Sequence, residues 1–340
     1  MEFGDYPNQR NRAEFAVVGE INRLDEFESR LEAIESLQPR INALEGEVQR
    51  LPQLDYQTGR GLYAGFEHVI VKPYFSRNIA FTEASTSNFR FTSFDWNATH
   101  TPRVFVAFEG DGGVGLVVSY WQFDDQTRFS RTQLPGEFLF VEVTAADQSV
   151  NNLAGPGGVS GTLLGSHSVK LDVLDIEFTK RADQDWGWFA AQAGIRYGRL
   201  EQAALWTETG SPDFVALNFD FEGIGPTLKT EVGAYVIGGL AVFANMRGSL
   251  LYGNRSIRTE DNLGGDFIPS YDSLQPTLEG QVGLDWRVFL FGYPVTVRAA
   301  VEGQTWFRGG GASGGDDEGI PSDQLDLGFF GGSFSTVIEL

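Results

Sequence analysis

The sequence contains no cysteine, which removes disulfides and thiolate metal sites and fits either a reducing cytosol or an exported bacterial protein. It has no run of about 18 apolar residues, so no transmembrane helix is expected, although strands can still span a membrane. Basic residues are scarce, 25 against 46 acidic, and the net charge of −21 argues against nucleic-acid binding and for cation-attracting surfaces. Enzyme signatures are missing too: there is no GxSxG, GxxxxGK[ST] or HExxH, and His68, His100 and His167 lie far apart in sequence. The one nominal GxGxxG, Gly110–Gly115, precedes a strand pattern and lacks the helix N-terminus that binds pyrophosphate, so it reads as a tight turn. The opening MEFGDYPNQR lacks the basic and apolar regions of a signal peptide, which leaves either a chain that is not exported or a mature chain with a replaced start.

What is abundant is glycine, 42, and phenylalanine, 28, the profile of an all-β chain with many turns. In PTLEGQVGLDWRV, Leu278, Val282, Leu284, Trp286 and Val288 alternate with Glu279, Gln281, Asp285 and Arg287, a strand with one apolar and one polar face. Ten such strands are predicted near 60–73, 92–109, 113–125, 167–181, 186–203, 213–235, 239–256, 276–289, 293–307 and 325–340. Tight connections (EGDGG, RADQD, VIGG, LFGY) alternate with long ones at 74–91, 126–166, 257–275 and 308–324, and a shorter one at 204–212. An antiparallel transmembrane β-barrel of about ten strands has this asymmetry, and its even count puts both ends on the tight-turn, periplasmic side. A soluble sandwich or barrel would also alternate, but these strands are longer than the usual five or six residues. Trp121, Trp186, Trp188, Tyr252, Trp286, Phe289, Tyr293, Trp306 and Phe307 fall near strand ends, as an interfacial girdle would. The last strand, LGFFGGSFSTVIEL, carries Phe330, Phe334, Ile338 and Leu340 on one parity.

Ahead of residues 60–340, beyond a tail at 1–11, residues 12–52 repeat apolar positions every three or four residues. The pattern predicts an α-helical coiled coil, interrupted at Pro39 and ended at Pro52, that self-associates. On the barrel reading the inward face holds Lys170, Asp172, Asp175, Glu177, Arg196, Asp220, Glu222, Lys229, Glu231, Arg247, Glu279, Asp285, Arg287, Arg298 and Glu302. Ten strands enclose little more than side chains fill, so these groups either pair into a plug or leave a narrow cation-preferring channel with Arg247, Arg287 and Arg298 as a facing basic rim.

The ordered segments GLYAGFEHVIVKP, PRVFVAFEGDGGVGLVVSYWQFD, LDVLDIEFTKR, WGWFAAQAGIRYGRLEQ, FEGIGPTLKTEVG and MRGSLLYG resemble the pore-forming outer-membrane barrel family related to the Legionella major outer-membrane protein, including its planctomycete-type members. The resemblance covers residues 60–340 and implies a pore or surface barrel without catalytic chemistry or cofactor. The expectation is therefore an outer-membrane porin for small ions or solutes with a periplasmic oligomerising helix. The alternatives are a closed structural barrel organising or anchoring the membrane, or a hydrolase built on His167 with Ser166 and Ser168. Expected partners are outer-membrane lipid, lipopolysaccharide, further copies through the helix, and divalent cations at acidic loops such as Asp316, Asp317 and Glu318.

Overall fold

The computed structural model describes residues 32, 35–40, 61–84, 89–110, 112–135, 137–144, 150–154, 161–262, 264–311 and 325–340. The chain divides into two compact units, Met1–Tyr56 and Gln57–Leu340. In the first, residues 35–40, Pro39 among them, are helical; the remainder of the expected 12–52 helix, and its self-association, lie outside the described residues.

The second unit consists of strands β1 (Gly61–Phe75), β2 (Ile79–Ala84), β3 (Phe89–Ser93), β4 (Thr99–Glu109), β5 (Val114–Thr132), β6 (Phe138–Thr144), β7 (Val150–Ala154), β8 (Thr162–Gln184), β9 (Gly187–Glu208), β10 (Phe214–Ile237), β11 (Leu240–Asp261), β12 (Gly264–Leu290), β13 (Tyr293–Trp306) and β14 (Leu327–Glu339). Ten of them close an antiparallel barrel in the order β1-β14-β13-β12-β11-β10-β9-β8-β5-β4, and β3-β2-β6-β7 form a separate sheet. The tight connections are as expected. In the β10–β11 turn Gly238 and Gly239 take φ of 56° and 85°, and in the β12–β13 turn Phe291 and Gly292 take 53° and 86°. Positive φ at both central residues is the hairpin geometry that matches strand twist. Gly61 and Leu340 lie at this same end, where Leu340 N donates to Leu62 O at 2.9 Å.

Two of the expected long connections contain β2, β3, β6 and β7. The third, at 257–275, is a correction: Asp261 pairs with Gly264 and Ile257 with Ile268, so β11 and β12 continue as a protruding hairpin. Ile257 and Thr259 are buried inside that extension, and they sustain the ladder although Ser256, Arg258 and Glu260 beside them on β11 are polar.

The outward face is the apolar one over the tight-turn half of the wall. Leu278, Val282, Leu284, Ile224, Leu228, Val242, Met246, Phe330, Phe334 and Ile338 are exposed, an unusual amount of surface hydrocarbon unless lipid covers it. The girdle expectation divides: Tyr252, Trp286, Tyr293 and Phe307 are outward and exposed, Trp186 and Phe289 are exposed at the tight-turn end, Phe289 on the parity of inward Arg287, whereas Trp121, Trp188 and Trp306 are buried inside the barrel. Val282, 66 % exposed, sits in the middle of this belt, with Leu284 and Leu278 on either side along β12. Val282→Arg is expected to destabilise the barrel by about 2–4 kcal/mol, read as a lower midpoint in urea unfolding from phosphatidylcholine vesicles.

Candidate functional site

Because side chains alternate along a strand, each inward position follows from parity. On β9 to β13 the inward residues of the tight-turn half include Arg196, Lys229, Glu231, Arg247, Glu279, Gln281, Asp285, Arg287, Arg298 and Glu302, and β8 adds Asp175 and Glu177. They form a belt of ion pairs that reaches across the lumen. Arg196 on β9 donates from Nε and Nη2 to Asp175 of the neighbouring β8 at 2.7 and 2.9 Å, and from Nη1 to Glu279 on β12. Arg247 on β11 reaches back to Asp175 at 2.9 Å and to Glu177 at 2.7 Å, both on β8, a strand that is not its neighbour in the barrel.

A second cluster joins three further strands. Arg103 on β4 donates to Glu67 on β1 at 2.8 Å and to Glu302 on β13 at 3.2 Å, while Gln281 on β12 donates to Glu302 at 2.7 Å and Glu67 at 3.2 Å. Lower in the lumen Arg298 pairs with Asp285 at 2.8 Å and with Glu231 on β10 at 3.0 Å, and Trp188 Nε1 donates to Glu231 at 3.1 Å. Gly233 makes this possible: a Cβ there would lie 2.2 Å from the Trp188 ring. Arg287 pairs with Glu339 at 2.8 Å near the tight-turn end. Arg196 and Glu177 are almost fully buried, and bidentate guanidinium–carboxylate geometry is what allows charges to persist without water.

Four expected lumen residues face the other way. Lys170, Asp172, Asp220 and Glu222 are on the opposite parity to Asp175 and Glu177, or to Lys229 and Glu231, of the same uninterrupted strands. They lie outside, where Lys170 stands 3.9 Å from Asp124 and Glu222 accepts from Tyr197 Oη at 2.9 Å.

Above the belt, toward the loop end, the inward residues are apolar: Val69, Val71, Phe123, Leu171, Leu200, Phe219, Phe221, Leu251, Trp306 and Phe329 belong to one buried core. Phe123 and Phe329 pack at 4.8 Å and Trp121 meets Phe329 at 5.6 Å. The sheet of β2, β3, β6 and β7 extends this layer, since Phe81, Val141 and Val143 are buried in the same core and Trp206 Nε1 donates to Ala80 O at 2.7 Å. Sequence reading missed this layer because an inward valine or phenylalanine carries no charge to mark it.

His167 is inside this layer, its ring 5.1–5.4 Å from Phe75, Phe94 and Trp96, with Nε2 3.2 Å from Gln202 Oε1. Ser166 and Ser168 point to the opposite face, so parity separates the expected histidine–serine combination. Asp316, Asp317 and Glu318 lie outside the described residues.

A family model described as the Legionella pneumophila major outer membrane protein precursor matches residues 57–336. No curated protein sequence matches the chain. Among solved structures, the fold is similar to the outer membrane protease OmpT from Escherichia coli (TM-score 0.46, 9% identity, covering 83% of this chain and 98% of that one). It is also similar to the translocator domain of the autotransporter NalP from Neisseria meningitidis (0.39, 13%, 90% and 98%). A Pseudomonas aeruginosa FadL homologue is more distant (0.25, 7%, 82% and 90%).

Proposed function

The chain belongs to the Legionella pneumophila major outer membrane protein family, and from that premise we propose that this member is a sealed outer-membrane barrel that anchors a folded sheet at the cell surface. The observation that carries the reading is the belt of ion pairs spanning the lumen from β1 and β4 to β13 and from β8 and β9 to β11 and β12, roofed by the aromatic layer. An ion entering would have to displace buried, paired charges and then cross hydrocarbon, where leaving water without a partner is costly. The tight turns face the periplasm and the loops face outward, the usual arrangement for such barrels.

On this reading the chain is not an enzyme. Self-association through residues 12–52 and divalent cations at Asp316, Asp317 and Glu318 belong to the same proposal, on the heptad spacing and the clustered carboxylates of the sequence alone. Purified protein in planar bilayers is expected to give no sustained conductance; steady single-channel steps from the wild type would overturn the sealed reading. They would favour the second one, a porin gated at the belt, which has in its support that inward-facing Ser119, Thr179 and Gln192 on the tight-turn side are only half-buried.

A further inference from the structure

Around much of the wall, the outward face turns from apolar to charged at tyrosines whose hydroxyls donate to a carboxylate on the adjacent strand. Tyr120 donates to Asp172 at 2.5 Å, Tyr197 to Glu222 at 2.9 Å and Tyr252 to Asp272 at 2.6 Å. Carboxylates outnumber cations on this rim, and its Arg199 and Lys170 stand beside Glu201 and Asp124, which leaves little net attraction for a lipid phosphate.

On β1 and β4 the rim is built of other residues. Tyr120 is opposite Val104, and Val104 opposite Phe66. One pleat further out His68 is opposite Pro102, and beyond it Ile70 is opposite His100. Both histidines are on the outer surface with exposed Phe66, Ile70 and Val104, and their rings stand 6.2 Å apart, edge to face. Lys72, next outward on β1, has its ammonium 3.5 Å from Asp95, which is itself 94% exposed.

Among the described residues, no hydrogen bond satisfies either imidazole. Every imidazole carries at least one N–H, and both rings are exposed where the wall passes from lipid to water, so they can donate to an acceptor of the headgroup layer. Phosphate oxygens accept such donors most strongly, and Lys72 adds a point charge on the same face.

We propose that His68, His100 and Lys72 dock the phosphate-bearing headgroup of a lipid in the leaflet at the loop end of the barrel. Two of the chain's three histidines, distant in sequence, meet there, at the part of the rim that carries no tyrosine–carboxylate pair.

The test is native mass spectrometry of the full chain released from nanodiscs holding equal amounts of phosphatidylglycerol and digalactosyldiacylglycerol. The wild type is expected to retain phosphatidylglycerol in excess. His68→Leu/His100→Leu, a pair of changes suited to a lipid-facing wall, is expected to lower that excess roughly tenfold. Lys72→Leu lowers it to a smaller extent, and Phe66→Leu leaves it unchanged. Heat-modifiable migration confirms that each variant is folded. Equal retention by wild type and the double variant overturns the proposal. So does one-to-one zinc binding by the wild type with lipid retention unaffected by the variants, which would make the two imidazoles a metal site.

Discussion

Replacing Arg196 with alanine is expected to destabilise the barrel by about 3 kcal/mol, the lower end of the range for breaking a buried ion pair. Arg196 is 1% exposed and is the bidentate partner of Asp175. Its loss leaves two carboxylates, Asp175 and Glu279, in a lumen that offers them little water. The lower end applies because Arg247 remains within 2.9 Å of Asp175 and 3.5 Å of Glu279 and can take part of the charge. Arg196→Met with Asp175→Leu is expected to recover most of the loss, since it removes both charges and keeps the volume, while Arg247 still serves Glu279. Lys170→Ala, at an outward pair 3.9 Å apart with both side chains more than half exposed, is expected to change stability by well under about 1 kcal/mol. Urea unfolding in vesicles, followed by tryptophan emission, measures all three; equal midpoints for Arg196→Ala and Lys170→Ala would show that the belt contributes nothing.

That contrast also explains what could be read from sequence. The ten barrel strands and the tight turns were legible because within the membrane belt lipid outside and charge inside impose a clean period of two. β8 shows where the rule inverts. In the segment Lys170–Phe178, Lys170 and Asp172 face out with Leu171 and Val173 in, and then Leu174, Ile176 and Phe178 face out with Asp175 and Glu177 in. The strand does not slip; the environment changes. Beyond the rim the barrel has water outside and a hydrophobic core within, as a soluble protein does. The only trace in the sequence is the adjacent apolar pair Val173–Leu174, where two alternating patterns of opposite phase meet. On β10 the same inversion falls at Gly223–Ile224, between outward Glu222 and inward Thr227. Treating every charge as inward therefore placed Lys170, Asp172, Asp220 and Glu222 in the lumen and hid Phe219, Phe221 and Leu171, which are there. The meeting of His68 with His100 was likewise illegible, because the long connection at 74–91 leaves open the register between the neighbouring strands at 60–73 and 92–109.

Phe329→Ala is expected to cost about 3–5 kcal/mol, the usual penalty for emptying a buried phenylalanine site, because its ring packs on both Phe123 and Trp121 and is 2% exposed. Its effect on permeation follows a different logic. Two barriers in series set the ion flux by the higher one, so opening the aromatic layer alone leaves the belt, and Arg196→Ala alone leaves the aromatic layer. Each single variant is expected to stay silent in planar bilayers. The combination Phe329→Ala/Arg196→Ala is expected to conduct, with cations preferred because the unpaired carboxylates of Asp175 and Glu279 then line the path. Conductance from Arg196→Ala by itself would show that the aromatic layer is no barrier and that the ion pairs alone close the lumen. Silence of the combined variant, with both singles destabilised as expected, would mean that the remaining cross-lumen cluster of Arg103, Glu67 and Glu302 is sufficient to seal it.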